Sequence, residues 1–263
     1  MVLEQLIATR WVERKPWHAF SLGLVFSFLG MLGASLIYGA NPSYMAVALT
    51  AIFIVPSLNK LLELEENVEI REKKLSLRLL FRDHKDIVEI YFFLFLGIMV
   101  AYSLVAILSP IEVSRWLFQS QLGVGGLTGL ASGSGIFVNI LLNNLLVMVV
   151  VFVLSWLYGS GAILFLSWNA AVWGVISGFV ARGDANVLAS YAGDLLVRMP
   201  HTLLELFAYI LVAVAGGVLS KAVIREKIRS AKFTHVVTDG MLFFAIAVVC
   251  ILLGALIETM VLS

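Results

Sequence analysis

The chain has 263 residues, of which 61% are hydrophobic and 13% charged, with a formal net charge of +1 and a mean hydropathy of +1.00. Soluble globular domains carry roughly 25% charged residues, so this composition excludes that class and implies a membrane protein, with the lipid bilayer as its surroundings and no nucleic-acid partner. A helix crossing about 30 Å of hydrocarbon takes about 20 apolar residues, and about seven such windows are present. The expected fold is all-α: a polytopic transmembrane helix bundle.

The first predicted span runs from about Trp17 to Tyr38. Arg14 and Lys15 precede it as in a signal peptide, but its apolar core is too long. No small-x-small cleavage site follows at Tyr38 to Asn41, which predicts an uncleaved anchor. The second span, about Tyr44 to Leu58 with Pro56 inside, is marginal in length for a full crossing. Asn59 to Asp86 then holds most of the charge. Leu61, Leu62, Leu64, Val68, Leu75, Leu79 and Leu80 recur there at roughly helical spacing, and Glu69 with Lys73 forms an i,i+4 pair. This pattern predicts a cytoplasmic amphipathic helix, which could continue the span before it. Two roles stay open: a connector at the lipid headgroups or the bundle ends, and a docking helix for a soluble partner or second protomer.

The third span covers about Ile87 to Leu108 and leads into a glycine-rich outer loop, Ser109 to Ser134. Gly125, Gly129 and Gly133 stand four apart there, which would give a helix a smooth packing groove, though a mobile loop fits as well. Its spacing does not form G-x-G-x-x-G, and no strand precedes it. The fourth span runs from about Gly135 to Tyr158 and the fifth from about Ala162 to Ala181. In the fifth, Ala170, Gly174 and Gly178 repeat a small-x-x-x-small pattern that marks helix packing, or else a pivot or substrate path. The sixth runs from about Pro200 to Ser220 and the seventh from about Val236 to Ile257. The only cysteine, Cys250, lies in the seventh and excludes an intramolecular disulfide. Residues 1–86 read as a transmembrane hairpin plus charged helix, and residues 87–263 as the core membrane domain.

With seven crossings, fifteen of the eighteen basic residues fall on one side, leaving Arg115, Arg182 and Arg198 on the other. The positive-inside rule then places the amino terminus in the cytoplasm and the carboxyl terminus outside.

Ionisable and amide groups at membrane depth are costly and usually have a role. At about 1.5 Å rise per residue, Asn139 lies about 6 Å into the fourth span, and Asn143 and Asn144 about 12 to 14 Å in. Asn169 falls near the midplane, His201 at the interface and Glu205 one turn below it. His201, Glu205 and Tyr209 share one helix face, and Asn139 with Asn143 another. These residues could meet as an intramembrane polar cluster. The asparagines fit interhelical hydrogen bonds, and Glu205 fits a protonated carboxyl or one paired with His201 or Arg198. A proton or cation relay, or a polar seat for a partner helix, are the functional alternatives. One H-x-x-x-E supplies only two metal ligands, so no metal site is expected. His235 and Asp239 repeat the spacing at a solvated helix start. There is no G-x-S-x-G, P-loop or paired intramembrane aspartate, and no cofactor is implied.

F-V-N-I-L-L-N-N-L-L-V in the fourth span, G-S-G-A-I-L-F-L-S-W-N-A-A-V-W-G leading through the fifth, and M-P-H-T-L-L-E-L in the sixth resemble the stage II sporulation protein M family of integral membrane proteins. Asn143-Asn144, Asn169-Ala170 and Pro200, His201 and Glu205 match the family's positions, with Ala170 and Thr202 standing where glycine is usual. The resemblance spans about Ile87 to Ser263, and the first two spans look like an extension closer to versions in non-sporulating prokaryotes, including archaea. It implies a non-enzymatic membrane scaffold acting through other membrane proteins or a homo-oligomer. The residues themselves leave open a permease or channel using Asn143, Asn169, His201 and Glu205.

Overall fold

Hydrocarbon offers backbone amides no water, so a crossing segment must satisfy its hydrogen bonds internally, and a helix does this within one segment. The computed structural model describes residues 17–69, 81–82, 84–128, 136–225 and 230–262, and every regular element among them is helical. In chain order these are α1 (Trp17–Ile37), α2 (Ser43–Glu69), α3 (Lys85–Leu108), α4 (Ile111–Leu117), α5 (Gln119–Thr128), α6 (Ile136–Tyr158), α7 (Ala162–Arg182), α8 (Val187–Arg225) and α9 (Ala231–Leu262). Among the described residues six helices are long and apolar enough to cross a membrane, namely α1, α3, α6, α7, α8 and α9; α2 adds a shorter apolar stretch, Ser43–Asn59. The molecule is an all-α polytopic transmembrane bundle.

Lipid tails are as apolar as leucine, so these helices gain by fitting closely rather than by escaping water. Small residues make the fit. A Cβ on Gly23 would stand 2.5 Å from the Leu94 carbonyl oxygen, and one on Gly97 would overlap that of Phe20, so α1 and α3 touch backbone to backbone. Gly30 does the same between α1 and α2, where a Cβ would come within 2.8 Å of the Ala46 carbonyl. On α7, Gly174 faces Met99 and Gly178 faces Ser103 and Ala106, both on α3, while Ala170 one turn earlier is fully buried. The small-residue stripe of the fifth predicted span is thus the contact of α7 with α3. Gly125 lies in α5; Gly129 and Gly133 fall outside the described residues.

Burial separates the helices by role. The apolar window of α8 is 72% buried, against 28% for α9 and 17% for α6, which makes α8 the central post of the second half. His84, just before α3, lines one small cavity with Val214, Val218, Val236 and Phe243, so the start of α3, the later part of α8 and the start of α9 share one end of the bundle. Near the other end Arg182 ties three elements together. Its guanidinium donates to the Ala106 and Ser109 carbonyls at 2.9 and 2.6 Å and to Ser114 Oγ at 3.1 Å. Those carbonyls at the end of α3 have no partner within the helix, and a cation suits the negative end of its dipole. The same region is stitched by Ser43, whose hydroxyl donates to the Leu117 carbonyl and accepts from the Ser120 amide. The α6–α7 turn depends on Gly159, whose φ of 67° is one that side chains rarely adopt.

Three predicted boundaries change. The second span and the charged segment are one helix as far as Glu69, carried through Pro56; residues 70–80 of that segment lie outside the description. The seventh helix starts at Ala231 and reaches Leu262, past the predicted end at Ile257. The largest change is in the sixth. Pro200 does not open the helix but sits inside α8, 39 residues long, or about 58 Å if straight. Residues 187–199 hold that first part in place through side chains: Tyr191 Oη and Ser103 Oγ are 2.8 Å apart, Ser177 Oγ donates to Asp194 Oδ2 at 2.7 Å, and Arg198 pairs with Asp194 at 2.9 Å. These contacts offset the amide bond that a proline removes from a helix interior.

Gly97 and Gly193 should respond to alanine with opposite signs. Gly97→Ala forces a methyl into the Phe20 carbonyl and should destabilise by about 1–3 kcal/mol. Gly193 lies within α8 with open space where a Cβ would go, so Gly193→Ala should stabilise by about 0.5–1 kcal/mol. Thermal unfolding of the two variants in one detergent reads both.

Candidate functional site: a polar latch between three helices

Helix periodicity decides which of two adjacent asparagines turns inward, because neighbours in sequence are about 100° apart around the axis. The inward positions of α6 are Asn144, Met148, Val151 and Ser155. Asn144, 7% exposed, therefore faces α8, where His201 and Glu205 are also 7% exposed and Tyr209 only 2%. Asn144 Nδ2 donates to Glu205 Oε1 at 2.6 Å, and Tyr209 Oη donates to Asn144 Oδ1 at 3.3 Å. One carboxamide thus serves a carboxyl and a phenol that are four residues apart on α8. That spacing puts both on one face, as the sequence pattern required.

A third helix closes the cluster. Gly254 of α9 lies against α8, where an added Cβ would be 3.3 Å from Glu205 Cγ and 3.4 Å from the His201 carbonyl. One turn further along α9, the Glu258 carboxyl lies beside that of Glu205. Two neighbouring carboxyls can share a proton, since a protonated carboxyl donates and a carboxylate accepts. The arrangement can therefore hold a proton and bridge α6, α8 and α9. His201 contributes differently: its Nδ1 is buried with no hydrogen-bond partner among the described residues. Arg198 is engaged with Asp194. Among the described residues no three His, Cys, Asp or Glu side chains converge as a metal-holding group.

The remaining predicted residues lie elsewhere. Asn169 on α7 donates to the Phe165 carbonyl one turn back, at 2.8 Å, and takes no part in these bonds. Asn139 and Asn143 lie on the exposed side of α6; Asn143 reaches the cluster only through a 3.4 Å bond to Asn144 Oδ1. His235 Nε2 and Asp239 Oδ2 stand 3.4 Å apart near the start of α9. Glu258 is missing from the sequence-predicted set because the seventh predicted span ends one residue before it. Its signal is Gly254-x-x-x-Glu258, a small residue and a carboxyl on one face of an apolar helix, answering His201-x-x-x-Glu205 on α8.

A helical bundle of this length and hydropathy, with an acidic pair held between its spans, is a multi-pass membrane protein. Residues 90–261 match the model of the family described as stage II sporulation protein M, and the chain belongs to that family. The matched region takes in nearly all of α3 and everything through α9 except its last residue, and so the whole latch; α1 and α2 precede it. No curated protein and no solved structure matches the chain.

Removing Asn144 orphans two partners at once. An interhelical hydrogen bond in a membrane is worth about 0.6 kcal/mol on average, whereas a buried polar group left unpaired costs about 1–3 kcal/mol. Asn144→Ala should therefore destabilise by about 1–3 kcal/mol, while Asn169→Ala, which releases only a bond to its own helix, should change stability by less than about 0.5 kcal/mol. Unfolding of both variants in detergent, monitored by circular dichroism, checks the contrast.

Proposed function

We propose that the protein is a non-enzymatic membrane scaffold, a multi-span platform that assembles other membrane proteins. The observation that carries this reading is how the buried polar groups are used. Asn144, Glu205 and Tyr209 spend their hydrogen bonds on one another across α6 and α8, with Glu258 of α9 beside Glu205, so they hold helices in register. Close backbone contacts at Gly23, Gly97, Gly174 and Gly216 support the same view of a tightly fitted frame. In the orientation that the basic residues favour, the amino terminus is cytoplasmic, the carboxyl terminus is outside and the latch lies in the outer half of the membrane.

A second reading has one observation in its favour. Facing carboxyls within apolar helices are a common element of proton relays, and Glu205 with Glu258 is such a pair. On that reading the chain is a permease or channel component, and the latch is a step on a hydrated path.

Two measurements on the same material separate them. The intact protein is purified from native membranes under mild solubilisation, and its companions are identified by mass spectrometry. In parallel Tyr209→Cys, in a Cys250→Ala background, is challenged with a membrane-impermeant thiol reagent from each side. The scaffold reading expects a stoichiometric membrane-protein companion and a thiol at position 209 that does not react. A chain without companions whose position 209 is labelled quickly would overturn it in favour of the permease.

A further inference from the structure

The outer face of α6 carries a second pair of asparagines that, among the described residues, tie no helix to another. Asn139 and Asn143 stand one turn apart on the exposed side, beside Leu142 at 59% and Leu146 at 65% exposure. Asn143 has a single long bond, from Nδ2 to its neighbour Asn144, which leaves its carbonyl oxygen and one N–H unused. Asn139 has no side-chain partner among the described residues. From Ile136, Asn143 lies about 10 Å along the helix axis, a depth where lipid offers no hydrogen bonds. Leucine or valine would cost nothing there. A carboxamide facing acyl chains is stable only when another polar group meets it.

We propose that this stripe of α6 is the contact between two copies of the chain, related by a twofold axis along the membrane normal, with Asn143 of each bonding Asn143 of the other. The bilayer holds all copies in one orientation, so two α6 helices meeting side by side run parallel and bring each residue to the depth of its own copy. An isologous contact requires a surface that complements itself. A carboxamide does so, because it donates and accepts at once, whereas a carboxylate or an ammonium would repel its twin. The stripe holds no charge that would call for an opposite partner; Val138, Leu142, Leu146 and Val149 are the exposed apolar residues around the asparagines. The pairing does not rest on the scaffold reading, since a permease could dimerise through the same face.

The test uses the full chain in its native membrane, with Cys250→Ala as background. Leu142→Cys and Leu146→Cys keep both asparagines and probe the stripe; Leu29→Cys on α1 and Met241→Cys on α9, also exposed, probe other lipid-facing surfaces. Mild oxidation should give a disulfide-linked dimer from the α6 positions and none from the controls. Adding Asn139→Leu with Asn143→Leu to Leu146→Cys should abolish most of that dimer, while circular dichroism and a monodisperse elution profile establish that the variant is folded. Equal crosslinking at all four positions would overturn the proposal. So would a dimer indifferent to the asparagine changes, or an α6 cysteine that crosslinks only to a different protein.

Discussion

A carboxyl group among apolar helices has no solvent to fall back on, so the protein must supply every hydrogen bond it makes. The 2.6 Å bond from Asn144 to Glu205 meets this requirement, and the second half of the bundle is arranged around it. It sets the height of α6 against α8, since a slip of one residue on either helix turns a partner away by about 100°. Gly216 then lets the same pair of helices close further along, where a Cβ would be 2.7 Å from the Phe152 carbonyl. Gly254 and Glu258 bring α9 to the same level from the other side. Dispersion alone tolerates sliding; the polar bonds specify one register.

The first half is held by another device. Between α1, α3 and α7 the contacts are glycine against backbone, with Gly23 and Gly97 on one side of α3 and Gly174 and Gly178 on the other. Such contacts need no polar group in the membrane, because shape alone resists displacement. Polar bonding appears where the helices end, in the Arg182 bridge and in the Ser43 and Ser120 contacts around the α1–α2 turn. Although α1 and α2 lie ahead of the family-matched region, α1 is packed as closely on α3 as α7 is.

The helical class and six of the seven predicted spans could be read from composition, since hydrocarbon permits little else and those windows are long; the second predicted span is only a shorter apolar stretch, Ser43–Asn59. The small-residue stripe of Ala170, Gly174 and Gly178 was equally legible, because i,i+4 spacing fixes a face whatever lies opposite. What could not be read was which residues meet across helices. Asn143 and Asn144 are identical in kind and depth, and only the rotation of α6 against α8 makes one inward and the other outward. Pro200 misled for a related reason: residues 187–199 carry polar groups and precede the predicted sixth span, yet Tyr191 and Asp194 find partners on α3 and α7. A proline at such a boundary marks the start of a helix only when nothing further along the chain stabilises the turn before it.

The two neighbouring asparagines also show why a helix with so little burial can be polar on both sides without compromising the core. Asn144 Oδ1 accepts from Tyr209 as well as from Asn143, and Asn144 Nδ2 is committed to Glu205. Losing the long bond from Asn143 therefore leaves Asn144, Glu205 and Tyr209 paired. The inner face of α6 is bound into the fold by its own contacts, and the outer face is free to answer to whatever lies alongside it in the membrane. In the dimer proposed above, that separation has one helix serve as both a wall of the bundle and a surface for assembly, with the two roles carried by residues adjacent in sequence.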